Sequence, residues 1–356
     1  MPTPSHPIKV LVVDDSALVR RILIAGLNQD PALEVVSSAS DPYAARDRIL
    51  QLHPDVMTLD VEMPRMDGVE FLRRLMAQHP MPVVMVSALT VEGGQVTLDA
   101  LAAGAIDFVT KPKADVARGL EAMLGELREK VKGAAGANLS HLRAAPAQVR
   151  RIVSSGKPKA LAESTDKVIA IGASTGGTEA IRALLEPLPA TTPGVVIAQH
   201  MPAVFTRLFA ERLDGLCAME VKEAADGDRV VSGRVLIAPG GFQTRVIRAG
   251  GTYSVEVTPE GPVNGHAPSV EVLMHSVADH VGPNAVGVIL TGMGSDGAGG
   301  LVAMRKAGAR TFAQDEATSV VFGMPKVAWE RGGAERLVPI QEMAPAVLAA
   351  ASGSRR

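Results

Sequence analysis

Apolar strand-like runs alternate with helix-like segments along most of the chain, and this alternation restricts the possible fold more than any other feature. Residues 8–130 contain five such pairs. Their predicted strands are IKVLVV, EVVSSA, DVMTL, PVVMVSA and AIDFVT, and their predicted helices are ALVRRILIAGL, PYAARDRILQL, GVEFLRRLMAQ, GGQVTLDALAAG and a last one from about Asp115 to Lys130. Strands that alternate with helices predict a parallel sheet with helices on both faces. The alternation resumes after residue 165, so we expect two doubly wound α/β domains.

Length and composition agree with two globular domains joined by a tether. The chain has 356 residues, of which 47% are hydrophobic and 21% charged, as is ordinary for a protein that buries a core. We predict a first domain over residues 1–132, a linker over 133–165 and a second domain over 166–356. The middle segment is rich in Gly, Ala, Ser and Pro and carries five basic residues and one acidic residue. This composition predicts a tether that is either solvated or docked on an acidic surface.

Polar residues stand where the predicted strands of the first domain end. These residues are Asp14, Asp15, Asp60, Ser87 and Lys111. Because parallel strands present their carboxyl ends at one edge of the sheet, we expect the side chains to converge. Three carboxylates repel one another, and a divalent cation together with one lysine would balance their charge. Mg²⁺ suits such a site, and a carboxylate there could attack a phosphoryl group whose oxygens the metal and lysine screen.

In the second domain, a serine, a histidine and an aspartate each follow an apolar strand. KVIAI leads to Ser174, GVVIAQ to His200, and AVGVIL to a glycine-rich loop that contains Asp296. These loops share one edge of a parallel sheet, so the three side chains can meet. A histidine can take the proton of a serine, and a carboxylate can orient that histidine, as nucleophilic acyl transfer requires. The residues around Ser174 fit G-x-S-x-G, a turn that exposes a serine hydroxyl.

Each of these residues also has a simpler interpretation. The segment GASTGG could bind a phosphate, although it lacks the lysine of a P-loop and does not fit G-x-G-x-x-G. His200 could be a packed core histidine, and Asp296 could cap the helix that follows it. His266, His275 and His280 invite a metal-site hypothesis, but their spacing does not place two ligands on one helix face.

Residues 7–130 resemble the response regulator receiver domain. The matching features are the Asp14-Asp15 pair, Asp60 followed by VEMPRMDG, Ser87-Ala88 and Lys111-Pro112. The resemblance implies a flavodoxin-like fold in which Asp60 accepts a phosphoryl group from a histidine kinase. It also implies that Asp15, Asp60 and the Glu62 backbone carbonyl bind Mg²⁺ with help from Asp14. Ser87 and Phe108 match the switch pair that moves on phosphorylation, together with Lys111.

The second half resembles the catalytic domain of the chemotaxis protein-glutamate methylesterases, the CheB family. The matching segments are IGASTGGTEAIRALLEPLP, AQHMPAVFTRLFAERL, VLIAPGG, PSVEVLMHSVA, ILTGMGSDGAGGLVAMRKAGA and AQDEATSVVFGMP. This resemblance implies that Ser174 is the nucleophile, His200 the base and Asp296 its orienting acid. Thr175 and Met293 match positions that line the same site, with the Met293 amide as an oxyanion donor.

The chain departs from the family pattern beside one histidine. Family members often flank the histidine that matches His266 with basic residues, whereas its neighbours here are Gly265 and Ala267. The resemblance therefore predicts the chemistry of the site more closely than it predicts how the substrate docks beside His266.

Together, the two resemblances imply phosphorylation-regulated hydrolysis of glutamate methyl esters on the cytoplasmic helices of chemoreceptors, and deamidation of glutamines there. The expected partners are a histidine kinase and those receptors.

We expect no nucleic-acid binding, because the output half is acidic and lacks a helix-turn-helix pattern. We expect no membrane insertion, since no apolar run has the length of a span. We also expect no signal peptide, since the N-terminal apolar run VLVV breaks at Asp14-Asp15. A cytoplasmic location fits the single cysteine, Cys217. The alternative is a response regulator that acts by binding, as a scaffold or a transcription factor.

Overall fold

The computed structural model describes residues 6–63, 67–88, 90–112, 116–139 and 167–353. The chain divides into two compact units, residues 1–145 and 146–356. Most of the predicted Gly/Ala/Pro-rich linker, residues 140–165, lies outside the described residues.

The first unit contains a five-stranded parallel sheet. Its elements are β1 (Ile8–Val13), α1 (Ala17–Leu27), β2 (Leu33–Ala39), α2 (Pro42–Leu52), β3 (Val56–Asp60), α3 (Gly68–Gln78), β4 (Val83–Ala88), α4 (Val91–Ala102), β5 (Asp107–Lys111) and α5 (Val116–Ala135). The strand order is β2-β1-β3-β4-β5, so the chain reverses its direction of travel across the sheet between β1 and β3. Ligands of such folds bind at the carboxyl ends of the strands beside this reversal.

Helix α5 differs from its predicted span. It extends to Ala135, five residues beyond the predicted end at Lys130 and three residues into the segment assigned to the linker. Leu127, Val131 and Ala134 are fully buried. This apolar stripe at helical spacing continues past the composition change, which explains the longer helix. The predicted start at Asp115 lies outside the described residues.

The second unit is built on a seven-stranded parallel sheet. Its strands are β6 (Val168–Ala173), β7 (Gly194–Gln199), β8 (Glu220–Glu223), β9 (Arg234–Ile237), β12 (Ala285–Ile289), β13 (Arg310–Gln314) and β14 (Arg336–Val338), in the order β14-β13-β12-β6-β7-β9-β8. Its α-helices, numbered here in chain order, are α6 (Gly177–Leu185), α7 (Ala203–Asp214), α8 (Val270–His280), α9 (Ala298–Lys306), α10 (Met324–Glu330) and α11 (Ile340–Ala351). The two parallel α/β domains predicted from the alternation are confirmed.

An antiparallel hairpin, which the alternation did not predict, forms a separate two-stranded sheet in this unit. It consists of β10 (Gln243–Ala249) and β11 (Thr252–Thr258), joined at a glycine pair. Val246, Tyr253 and Val255 point into the same core as the residues of α8 and the parallel sheet. The hairpin therefore packs on the sheet and supports the segment that leads into α8.

Among the residues that the structure describes, no helix combines the length and the apolar character needed to cross a bilayer.

Candidate active site and phosphoacceptor pocket

The three residues of the predicted triad follow three adjacent strands. Ser174 follows β6, His200 follows β7, and Asp296 lies in the loop after β12. Strand β6 lies between β7 and β12 in the sheet. The chain reverses its direction across the sheet between β6 and β12, so this edge has the position expected of a ligand site in an open α/β fold.

Small residues at the end of β6 leave room for other segments to approach. A Cβ atom at Gly172 would collide with Val270, and one at Gly292 would lie 2.8 Å from Ser174 Cβ. Gly176 is the N-cap of helix α6 and has a φ angle of 74°, a backbone conformation that favours glycine. The glycines allow the loop after β12 and the start of α8 to pack directly against the turn that holds Ser174.

Ser174, His200 and Asp296 form one chain of hydrogen-bonded side chains. His200 Nδ1 lies 3.1 Å from Ser174 Oγ, and His200 Nε2 lies 2.9 Å from Asp296 Oδ2. A neutral imidazole protonated at Nε2 donates to Asp296 and accepts from the serine hydroxyl at Nδ1. The arrangement can transfer the serine proton to the histidine while the carboxylate holds the ring.

Asp296 is surrounded by hydrogen-bond donors from the segment before and at the start of α8. Its Oδ1 accepts from Asn264 Nδ2 and Ser269 Oγ, both at 2.9 Å, and its Oδ2 accepts from the Val270 amide at 2.6 Å. Burial raises the pKa of Asp296, but the hydrogen bonds from His200, Asn264 and Ser269 outweigh burial and lower the pKa to about 2. Asp296 is therefore ionised throughout the neutral range.

The backbone around the serine has two other notable contacts. The Ser174 amide donates to the Thr291 carbonyl at 3.0 Å, so this amide is already engaged within the turn. The buried Gln199 side chain donates through Nε2 to the carbonyls of Ser174 and His200, at 3.0 and 3.2 Å. Gln199 thus links the turn of the serine to the loop of the histidine.

The two other predicted site residues lie close to Ser174 along the chain or in space. Thr175 is buried, and its carbonyl accepts from Thr291 Oγ1 at 3.0 Å. Met293 is half-buried and directly follows Gly292, the glycine that abuts Ser174.

The sequence alone does not indicate a role for Gln199, Asn264 or Ser269 in this site. The Asn264-Gly265 dipeptide was a signal for a tight turn, but nothing in it indicated a contact with Asp296.

The histidines considered as a metal site do not come together. His266 stacks on His200 with ring centroids 3.6 Å apart, while His275 contacts Glu271 at 3.2 Å. Among the described residues, the group of side chains that could hold a metal ion is Asp14, Asp15 and Asp60, in the first unit.

That acidic pocket lies at the carboxyl ends of β1, β3 and β5. Lys111 Nζ contacts Asp14 Oδ2 at 3.0 Å and Asp60 Oδ2 at 2.9 Å. Each of the three aspartates offers an oxygen within 4.8 Å of the others. Burial raises the pKa of Asp60 to about 6 despite the opposing charge of Lys111, and Asp14 adds to the increase.

Hard carboxylate oxygens and an uncompensated buried charge fit a divalent cation such as Mg²⁺. Asp14, Asp15 and Asp60 are the residues that would hold it. Glu62, whose carbonyl was predicted as a further ligand, is exposed beside the pocket, two residues after Asp60.

The predicted switch residues are both buried in the first unit, Ser87 near the end of β4 and Phe108 near the start of β5. Ser87 is fully buried and accepts a hydrogen bond from Thr97 Oγ1 at 2.7 Å. Phe108 is 3% exposed, and Lys130 Nζ lies 5.2 Å from the centre of its ring.

A hydrogen-bonded Ser-His-Asp chain at one sheet, and an Asp-Lys pocket at another, define a candidate serine hydrolase joined to a phosphoacceptor domain. The CheB methylesterase family matches residues 169–347, and the response regulator receiver domain matches residues 10–122. A Syntrophotalea carbinolica protein described as protein-glutamate methylesterase/protein-glutamine glutaminase is 67% identical over 96% of this chain and 97% of its own length. An Anaeromyxobacter dehalogenans protein with the same description, numbered 5, is 53% identical over 97% of each chain.

A solved structure agrees with the second unit. The crystal structure of the Thermotoga maritima CheB methylesterase catalytic domain is 35% identical, covers 52% of this chain and 98% of its own, and has a TM-score of 0.51. This chain therefore belongs to the CheB methylesterase family and carries a receiver domain before its catalytic domain. That membership supports an esterase over the alternative of a non-catalytic output domain.

Proposed function

We propose that this chain hydrolyses γ-methyl esters of glutamate on the cytoplasmic helices of chemoreceptors and deamidates glutamines there. The observation that carries the proposal is the hydrogen-bonded chain Ser174–His200–Asp296 in a member of the methylesterase family. A protein that acted only by binding would not need a serine, a histidine and a buried carboxylate in this order. The location we propose is the cytoplasm, where the kinase and the methylated helices are found.

The first half of the reaction forms an acyl-enzyme. Ser174 Oγ attacks the ester carbonyl carbon while its proton passes to His200 Nδ1, which lies 3.1 Å away. Asp296 stabilises the resulting imidazolium through the Nε2 hydrogen. The Met293 amide is the oxyanion donor that we propose, with Thr175 lining the same site. The Ser174 amide is not available for this role, because it already donates to Thr291.

The second half releases the carboxylate. With the ester, the bond between the carbonyl carbon and the methoxy oxygen breaks, and the proton on Nδ1 leaves with methanol. With glutamine, the bond between the carbonyl carbon and the amide nitrogen breaks, and that proton leaves with ammonia. Water then attacks the acyl carbon and gives a proton to Nδ1, and the bond to Ser174 Oγ breaks as Oγ recovers that proton. Both substrates give glutamate, because the acyl group is the same in the two intermediates.

Control of the reaction is assigned to the first unit. We propose that Asp60 accepts a phosphoryl group from a histidine kinase, with Mg²⁺ held by Asp14, Asp15, Asp60 and the Glu62 carbonyl. The cation, when bound, would neutralise charge on the phosphoryl oxygens. Lys111, which already contacts Asp60 at 2.9 Å, would contribute to the same neutralisation. Ser87 and Phe108 would then rearrange and alter the surface of the receiver.

Mass spectrometry of receptor peptides tests the substrate. Methylated receptor membranes are incubated with the full chain and digested, and the residues at each methylation site are identified. We expect both glutamate methyl ester and glutamine to be converted to glutamate, and neither to be converted by Ser174→Ala. Ser254→Ala, a serine substitution on β11 away from the triad, is the matched control. Unchanged receptor peptides with active wild-type protein would refute the proposed substrate.

A further inference from the structure

We infer that His266 is a positioning residue, which fixes the plane of the His200 imidazole by stacking on its face. The inference rests on the proposed function, in which His200 is the base. The two rings are 3.6 Å apart between centroids, and the angle between their planes is 11°. This separation is direct face-to-face contact between two aromatic rings.

The stack supplies a restraint that the triad hydrogen bonds lack. Those bonds run from Nδ1 to Ser174 Oγ and from Nε2 to Asp296 Oδ2, along one edge of the ring. They fix the two nitrogens but leave the ring able to tilt about the line that joins them. A flat ring against one face opposes this tilt. Tilting would take the Nδ1 lone pair out of line with the serine hydroxyl, and such misalignment slows proton transfer.

The segment that carries His266 also holds Asp296. The backbones of Val263 and His266 bond to each other in both directions at 3.0 Å, which closes a two-residue turn. Asn264 and Gly265 have φ angles of 53° and 83°, as a type I′ turn requires. The turn places Asn264 Nδ2 2.9 Å from Asp296 Oδ1. Two residues of one turn thus contact both members of the His200–Asp296 pair.

A buried glutamine fixes this turn to the hairpin. Gln243, on β10, is fully buried. Its Nε2 donates to the carbonyls of Gly261 and His266 at 3.1 and 2.9 Å, and its Oε1 accepts from the Ser269 amide at 2.9 Å. Bonds on both sides of the turn restrain its position, so the His266 ring is held against His200 by the fold itself.

Two apolar residues of different shape distinguish a flat ring from simple filling of space. The phenyl ring of phenylalanine can lie flat against the His200 ring, whereas the branched side chain of leucine fills the space without a flat face. Phenylalanine and leucine at position 266 therefore separate stacking from simple filling of space.

The rate at which a small fluorophosphonate modifies Ser174 tests the inference in the full-length protein. In that reaction Ser174 Oγ bonds to phosphorus, fluoride leaves, and the serine proton passes to His200. We expect His266→Ala and His266→Leu to slow the reaction about tenfold, and His266→Phe to stay within about twofold of wild type. His280→Ala, an exposed histidine at the end of α8, is the control and should not change the rate.

Equal labelling rates for wild type, His266→Ala and His266→Leu would overturn the inference, and so would a His266→Phe rate as low as that of His266→Ala. If His266→Ala fails to fold, as judged by its urea midpoint, the comparison of His266→Leu with His266→Phe decides.

The kinetics of methanol release from methylated receptor membranes give a second readout. For His266→Ala and His266→Leu we expect kcat to fall with KM unchanged. A rise in KM at an unchanged labelling rate would make His266 a docking residue and contradict positioning. Wild-type protein that labels at Ser174 but releases no methanol would refute the proposed substrate, while the labelling comparison would still test His266.

Discussion

Two buried carboxylates, Asp60 at the end of β3 and Asp296 in the loop after β12, have opposite shifts in pKa. Each is 4% exposed, so burial disfavours the ionised form of both. Several hydrogen-bond donors surround Asp296 and lower its pKa to about 2. Asp60 faces Lys111 but also Asp14, and its pKa rises to about 6. The environment of Asp296 suits a permanently charged group that orients a histidine. The environment of Asp60 suits a carboxylate whose ionised form a bound cation would stabilise.

The shift at Asp296 predicts how stability depends on pH. Its pKa falls from 3.8 to about 2 on folding, so its contribution is complete above pH 3.8 and is lost as the pH falls through 2. That contribution is about 2 kcal/mol at neutral pH. We expect Asp296→Asn to lower the free energy of unfolding at pH 7, and the difference from wild type to shrink on acidification.

Urea unfolding of both full-length proteins at neutral pH and at about pH 3 measures this difference. The fluorescence of Trp329, the single tryptophan in the sequence, reports on the second unit, which contains Asp296. A difference that stays constant over this range would show that the hydrogen bonds do not act through the charge of Asp296.

At the scale of elements, the loop after β12 sets the position of the nucleophile. A Cβ atom at Gly292 would lie 2.8 Å from Ser174 Cβ and would also collide with Met324. We expect Gly292→Ala to displace Ser174 and to reduce kcat about a hundredfold, as small misplacements in active sites do. Gly251→Ala, in the hairpin turn where a Cβ would meet nothing within 4 Å, is the matched control. Retention of full esterase activity by Gly292→Ala would contradict the close approach.

The acidic pocket at the carboxyl ends of β1, β3 and β5 predicts that phosphorylation depends on a metal ion. We expect acetyl phosphate to label Asp60 only when a divalent cation is present, because the Asp14–Asp15–Asp60 cluster repels a phosphoryl group without one. Radiolabel incorporation with Mg²⁺ and with EDTA measures this dependence. Asp60→Asn should abolish labelling, and the exposed control Asp47→Asn should leave it unchanged. Labelling that persists in EDTA would contradict the pocket.

The elements that the sequence predicts and those that it misses differ in a physical way. The strands beside Ser174, His200 and Asp296 are apolar runs that end in small or polar residues, so their positions follow from local patterning. The hairpin β10–β11 interrupts the strand-helix alternation, and its half-buried strands give a weaker signal. Gln199, Gln243 and Asn264 act through contacts with distant segments. Their roles depend on tertiary packing, which one sequence does not display.

At the scale of the whole molecule, each unit has its own sheet and core, and a regulatory domain precedes a catalytic one. Our hypothesis is that the unphosphorylated receiver inhibits the esterase and that phosphorylation at Asp60 relieves the inhibition by a shift of population. Residues 166–356 alone should then demethylate receptors faster than the unphosphorylated full-length chain. Acetyl phosphate should accelerate only the full-length protein. Equal rates for the two proteins would exclude inhibition and favour activation by recruitment to the receptor.

Methanol release from methylated receptor membranes tests most directly the central claim, that Ser174 is the nucleophile of an esterase controlled through Asp60. The full-length chain should release methanol faster with acetyl phosphate and Mg²⁺ than without them. Asp60→Asn should release it only at the unstimulated rate. Ser174→Ala should remain folded, and its rate of methanol release should be lower by several orders of magnitude, as is expected when a triad loses its nucleophile. Release by folded Ser174→Ala at a rate near that of wild type would contradict the account.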